Sequence, residues 1–106
     1  MADPAELRQA MVERQLQGRG IGSAPVLAVM GEIPREAFVP DRLREFAYED
    51  GPLPIGEEQT ISQPYIVALM IEAADVSPGD RVLEVGAGSG YAAAIMSRIA
   101  DQVFAI

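Results

Sequence analysis

The sequence feature that most constrains the fold is the glycine-rich stretch at residues 82–90, which reads VLEVGAGSG. A short apolar segment leads into glycines at every second position, and glycine lets a backbone turn sharply and approach a ligand closely. A helix beginning at Pro64 is predicted before this stretch. The spacing of apolar residues predicts a helix at 89–100, and residues 103–106 read as a second strand. Strand, glycine turn, helix and strand form one βαβ unit, with parallel strands and a right-handed crossover.

The predicted fold class is therefore α/β, with N-terminal helices before the first βαβ unit of a Rossmann-like, doubly wound domain. In the N-terminal half, a first helix is predicted to end at Gly18 and Gly20. Ser23 is predicted to cap a short second helix. Residues 35–58 are rich in proline and glycine, so we expect a loop-rich region with one helical turn at residues 41–46.

Composition excludes several kinds of site. The chain has eight arginines against sixteen carboxylates, a formal net charge of -8, and it contains no lysine, histidine or cysteine. An acidic chain repels phosphate backbones, so we expect no sequence-independent binding to nucleic acid. Thiolate chemistry, disulfides and cysteine or histidine metal sites are excluded, and we predict no metal site. No apolar run approaches the roughly 20 residues of a membrane span. With no signal-peptide core at the N-terminus, the default expectation is a cytoplasmic protein without membrane contact.

Two classes of cofactor bind at a glycine turn of this kind, between a strand and a helix. Gly88, Gly90 and Ala93 satisfy the dinucleotide pattern G-x-G-x-x-G/A, but a lone match is weak. Glu84 followed by glycines at alternate positions instead suits S-adenosylmethionine. A carboxylate there favours a ligand that carries an ammonium and a sulfonium, and it would lie awkwardly beside a pyrophosphate. A tight turn with no ligand is the third interpretation.

A second motif, PLPIG at residues 52–56 followed by TISQPY at residues 60–65, lies one helix before the glycine loop. Together the two motifs resemble the protein-L-isoaspartate O-methyltransferase family. RGIGSAPVLAVMGEIPREAFVP at residues 19–40 and AYEDGPLPIG at residues 47–56 extend the resemblance over nearly the whole chain. The resemblance implies methyl transfer from S-adenosylmethionine to the α-carboxylate of isoaspartyl residues in damaged proteins and peptides, the first step of their repair.

The resemblance also implies roles for particular residues. Ser62 falls on the family's active-site serine, and Thr60, Ile61 and Ser62 fall in a loop that lies against both cofactor and substrate. The implied cofactor-binding residues are Gln59, Thr60, Ile61, Ser62, Glu84, Gly86, Ala87, Gly88 and Gly90. Considered without the resemblance, Ser62 is equally well explained as the N-cap of the helix that begins at Pro64.

The resemblance divides the chain into a substrate-side segment, residues 1–60, and the start of the cofactor-binding domain, residues 61–106. One βαβ unit cannot cover both faces of a parallel sheet, so the domain is expected to be truncated. We therefore expect this chain alone to bind S-adenosylmethionine weakly, to methylate little, and to self-associate through its incomplete sheet. Two other classes stay open: a non-catalytic interaction domain on a methyltransferase scaffold, and a fragment of a dinucleotide-binding oxidoreductase.

Overall fold

The N-terminal helix opens the computed structural model, which describes residues 2–106. Its α-helical part, α1, spans Pro4–Ala10, and the side chain of Asp3 caps it by accepting a hydrogen bond from the amide of Ala5. The helix continues as a π-helical segment, Met11–Leu16, and a 3₁₀ turn, Gln17–Arg19. Gly20 ends it in the left-handed conformation, with φ of 94°. The predicted stop at the glycines is confirmed.

Three short helices follow. Helix α2 spans Ala24–Met30, and the Ser23 hydroxyl accepts a hydrogen bond from the amide of Val26 at 3.4 Å, so the predicted cap is confirmed. Two 3₁₀ helices, Arg35–Phe38 and Asp41–Phe46, come next. The second of them lies at the helical turn that the sequence predicts.

An antiparallel hairpin occupies the end of the region that was predicted to be a loop. Strand β1, Leu53–Gly56, pairs with strand β2, Gln59–Ile61. The loop prediction is wrong for Leu53–Gly56. Pro54 is compatible with a strand here because the sheet has only two strands, so its missing amide is not needed to pair with a third. The turn itself carries no sequence signal, since its two residues are Glu57 and Glu58 rather than the usual Asn-Gly. Both glutamates are left-handed, with φ of 52° and 60°.

The predicted βαβ unit is confirmed. Helix α3 spans Pro64–Ala73 and leads to strand β3, Arg81–Glu84. Helix α4, Tyr91–Ser97, connects it to strand β4, Gln102–Ala105, and the two strands are parallel.

One hydrophobic cluster joins the two halves of the chain. Its most deeply buried members come from the N-terminal helix, α2, β2, α3, α4 and the end of the second 3₁₀ helix: Met11, Leu16, Val26, Met30, Ala47, Ile61, Ala68, Tyr91 and Ile95. One side of the β3–β4 pair is instead exposed: the paired residues Leu83 and Phe104 are 63% and 49% accessible. The boundary at residue 60 stays a prediction, because a shared core neither supports nor excludes it. None of the helices in residues 2–106 combines the length and apolarity of a membrane span.

The hairpin turn gives a prediction about stability. Replacing Glu57-Glu58 by Asn-Gly should raise the free energy of unfolding by about 1 kcal/mol, because glutamate is strained at positive φ, whereas glycine has no Cβ and the short polar side chain of asparagine tolerates this conformation. Urea denaturation of the two chains measures the difference. The matched control is Glu49→Gly: Glu49 is exposed and does not have positive φ, so glycine there should destabilise. If both replacements change the free energy of unfolding equally, Glu57 and Glu58 are not strained at positive φ.

Candidate functional site

The glycine loop leaves β3 in a conformation that only glycine adopts without strain. Gly86, Gly88 and Gly90 have φ of 80°, 55° and 84°. A residue with a side chain would cost about 1–2 kcal/mol at each of these positions. The amides of Gly86 and Ala87 donate to the carbonyl of Ile106 at 2.8 and 3.1 Å, which fixes the start of the loop against the end of β4.

The segment Thr60–Ser62 lies opposite this loop. Ile61 anchors it in the core with 2% of its surface exposed, while Ser62 is exposed. The carbonyl of Ser62 accepts a hydrogen bond from Nη2 of Arg35 at 2.8 Å. Gln63, which forms no side-chain cap bond, is the N-cap of α3. The alternative explanation of Ser62 as the helix cap is therefore wrong, and its hydroxyl is not engaged by the helix.

A small cavity of about 100 Å³ separates the segment from the loop. Its lining brings together all the predicted site residues except Gln59 and Gly90. The lining residues are Thr60, Ile61, Ser62, Val67, Glu84, Gly86, Ala87, Gly88, Ser89, Tyr91 and Ala92.

The two remaining predicted residues lie outside this lining. Gln59 is exposed at the start of β2, where it pairs with Gly56 beside the hairpin turn. Gly90 precedes α4, and its amide donates to the carbonyl of Ala87 at 3.0 Å, so it closes the glycine turn. Their predicted contact with a cofactor stays a prediction.

Glu84 gives the cavity its electrostatic character. Its Oε1 atom is buried and makes no hydrogen bond within residues 2–106. Burial raises the pKa of this carboxyl above its ordinary value of 4.5. A buried carboxylate without a donor is costly, and a cation or an N–H donor placed in the cavity would relieve that cost.

An apolar groove adjoins the cavity. It has a volume of about 440 Å³ and shares Ser62, Val67, Glu84, Gly86 and Ala92 with the smaller cavity, while the rest of its lining is apolar. A larger cavity, about 850 Å³, lies far along the chain from these residues, between α1 and the 3₁₀ helix at residues 41–46. It contains none of the predicted site residues. The candidate site therefore consists of the small cavity and the adjoining apolar groove.

Sequence reasoning missed Arg35. The Arg35 side chain is fully buried beneath the Thr60–Ser62 segment, and its Cζ lies 4.9 Å from the centroid of the Tyr91 ring. Burial raises the pKa of Tyr91, and the neighbouring Arg35 cation opposes that shift. Nothing local distinguishes Arg35 from the other seven arginines, and only its place in the motif at residues 19–40 could have drawn attention to it.

A family model described as protein-L-isoaspartate(D-aspartate) O-methyltransferase matches residues 6–106. The chain belongs to this family. The family resemblance read from the two motifs is thereby confirmed, and so is the α/β fold class.

Curated relatives agree with this assignment. A protein-L-isoaspartate O-methyltransferase of Methylorubrum extorquens (strain PA1) is 68% identical over 104 residues, covering 98% of this chain and 46% of that protein. One from Pelotomaculum thermopropionicum is 63% identical over 99 residues, covering 93% of this chain and 43% of its own length. This family member thus spans less than half the length of these relatives.

Solved structures share the fold. A protein-L-isoaspartate O-methyltransferase superposes with a TM-score of 0.79 at 36% identity, covering 92% of this chain and 33% of that one. A Plasmodium falciparum protein-L-isoaspartate O-methyltransferase in complex with S-adenosyl-L-homocysteine gives a TM-score of 0.72 at 30% identity, covering 85% of this chain and 40% of that one.

Glu84 gives a prediction about pH. Folding raises the pKa of Glu84, so the folded chain holds the proton of this carboxyl more tightly than the unfolded chain does. The protonated carboxyl therefore contributes fully to stability below its ordinary pKa of 4.5, and this contribution is lost as pH rises through the pKa of the folded chain. Glu84→Gln removes this loss. The melting temperature of the variant should therefore gain on that of the unaltered chain as pH increases from about 4 to about 7. Glu49→Gln, at an exposed site, is the control and should show no such trend; a parallel pair of curves for Glu84→Gln would contradict the burial cost.

Proposed function

We propose that this chain carries the methionine-side cofactor site and the catalytic loop of an S-adenosylmethionine-dependent methyltransferase that acts on isoaspartyl residues. The observation that carries the proposal is the shared cavity. Ser62 on one wall and Glu84, with its unpartnered Oε1 atom, on the other line a single small space beneath the glycine loop. Membership of the family supports it, as does the S-adenosyl-L-homocysteine in the Plasmodium falciparum structure.

The residues present fit S-adenosylmethionine. Glu84 offers a buried acceptor that has no partner within residues 2–106, which suits the ammonium of the ligand's methionine end. Gly86 and Gly88 place bare backbone beside the cavity. Beyond its chain neighbours, a Cβ at Gly86 would meet no atom within 4 Å, and one at Gly88 would meet only the carbonyl oxygen of Gly86, at 4.0 Å. When bound, the cofactor supplies an activated methyl group on its sulfonium.

The chemistry of the acceptor explains why the chain can manage without the usual proton carriers. A carboxylate is already ionised at neutral pH, so its attack needs no general base. Histidine, lysine and cysteine are absent from the sequence, and the proposed reaction requires none of them. Ser62 and Thr60 can donate hydrogen bonds that hold a carboxylate at the cavity. Alignment of this kind is worth up to about 7–11 kcal/mol of a reaction barrier.

The proposed partners are proteins and peptides that contain isoaspartyl residues. The net charge of -8 supports the prediction that nucleic acid is not a partner. A cytoplasmic location and self-association through the β3–β4 sheet stay predictions.

Cofactor binding tests the first half of the proposal. Calorimetric titration of S-adenosyl-L-homocysteine into the chain should show binding, and Glu84→Gln should weaken it by about tenfold, because a hydrogen bond to a charged group is lost. Glu49→Gln serves as the matched control and should bind as the unaltered chain does. Equal affinities for all three chains would remove Glu84 from the site.

Methyl transfer tests the second half. This chain is assayed alone and fused to the remaining part of the Methylorubrum extorquens relative, with an isoaspartyl peptide and its aspartyl counterpart as acceptors. The fusion should methylate only the isoaspartyl peptide, and Ser62→Ala should slow it by about tenfold or more, through loss of a donor to the carboxylate. Ser97→Ala, on the exposed end of α4, should leave the rate unchanged. A fusion that binds cofactor but methylates neither peptide would contradict the proposed acceptor.

A further inference from the structure

The side chain of Arg35 is the one charged side chain within residues 2–106 that is completely shielded from solvent. Burial lowers its pKa, yet an arginine guanidinium stays protonated. Buried charge is unfavourable unless it is closely hydrogen-bonded, and an apolar side chain of similar size is often as stable in its place. The cation therefore calls for an explanation beyond core packing.

The guanidinium contacts three segments that are distant in sequence. Nε donates to the carbonyl of Ala47 at 2.6 Å, and Nη2 donates to the carbonyl of Ser62 at 2.8 Å. Its third contact is the face of the Tyr91 ring, 4.9 Å from Cζ to the centroid. Ser62 and Tyr91 both line the candidate cavity, one in the Thr60–Ser62 segment and the other just after the glycine loop.

Other contacts around Ser62 do not fix it to the glycine loop. Ile61 holds the segment by burial, which has no directional preference for the next peptide. The side chain of Gln63 donates to Asp50 at 2.7 Å, but that bond is exposed and leads away from the cavity, toward Arg19. Arg35 alone among these side chains touches both walls.

We propose that Arg35 is a positioning residue: it sets the distance and orientation of the Ser62 peptide relative to the glycine loop. The contacts of Arg35 are independent of the proposed function, but the purpose of positioning Ser62 rests on that function. Arg35 lines neither the small cavity nor the apolar groove. It acts through the Ser62 carbonyl on one side and through Tyr91 on the other, so that Ser62 meets a ligand held by the loop.

The conservative change Arg35→Lys separates positioning from charge. Lysine keeps the cation but lacks the planar fork that reaches two carbonyls at once. Arg98→Lys is the matched control, since Arg98 is a half-exposed arginine paired with Glu32 at 3.0 Å. Both variants are made in the full chain.

Amide hydrogen exchange gives a readout that needs no ligand. In Arg35→Lys, amide protection of residues 60–63 should fall about tenfold more than that of the buried α3 residues Val67, Ala68 and Ile71, because one charged hydrogen bond is lost locally. Arg98→Lys should change neither region. If protection falls equally in both regions of Arg35→Lys, the arginine serves global stability and the inference is overturned.

Titration with S-adenosyl-L-homocysteine gives the second readout. Arg35→Lys should bind this ligand about tenfold more weakly than the unaltered chain does. In the fusion, kcat for methyl transfer should fall by a larger factor than KM rises, because alignment rather than uniform binding is impaired. An unchanged affinity together with an unchanged kcat would overturn the inference. If the unaltered chain and its fusion bind no ligand, the proposed function fails, and exchange alone decides the role of Arg35.

A measurement on the unaltered chain covers the case in which Arg35→Lys does not fold. The Nε–H proton of Arg35 should exchange with water about tenfold or more slowly than that of Arg98, because it is bonded and buried. Equal exchange rates would show that the contacts with Ala47 and Ser62 are not held in solution, and the inference would be wrong.

Discussion

Between β3 and α4 the backbone passes three times through the left-handed region, at Gly86, Gly88 and Gly90, and this turn decides where everything else near the site can lie. It directs the chain from the sheet into a helix without placing a side chain over the end of β3. It also leaves Glu84 as the last residue of β3, at a small cavity that Gly86 and Gly88 help to line. The Thr60–Ser62 segment can then approach from the other side, held by Arg35 from beneath.

Local pattern predicted the elements whose cause is local. The Ser23 cap and the stop at Gly20 each depend on residues within a few positions of one another, and so do the separate strands and helix of the βαβ unit; each is confirmed. The β1–β2 hairpin was missed because Glu57 and Glu58 adopt its turn against their own preference, so no residue there announces it. Ile61, at the end of β2, is buried in the core, and such tertiary packing cannot be seen in a short window of sequence.

The site residues also fall into those that the sequence could predict and those that only the fold brings together. The glycine loop could be predicted because its conformation requires glycine, and Ser62 was identified by family resemblance. Arg35 could not be predicted from physical reasoning, since its partners Ala47, Ser62 and Tyr91 are brought to it only by the fold. The orphaned oxygen of Glu84 is likewise a property of three-dimensional burial. The roles of Gln59 and Gly90 remain predictions.

The small cavity has walls from two segments that an entire helix, α3, separates in the chain. Neither wall is a site by itself, so a ligand that contacts both binds the folded chain and has little affinity for the unfolded one. By linkage, such a ligand raises the apparent stability in proportion to the logarithm of its concentration once the site is nearly full. The shift in melting temperature with ligand concentration then measures how well the two walls are positioned relative to each other, and it requires no catalytic turnover.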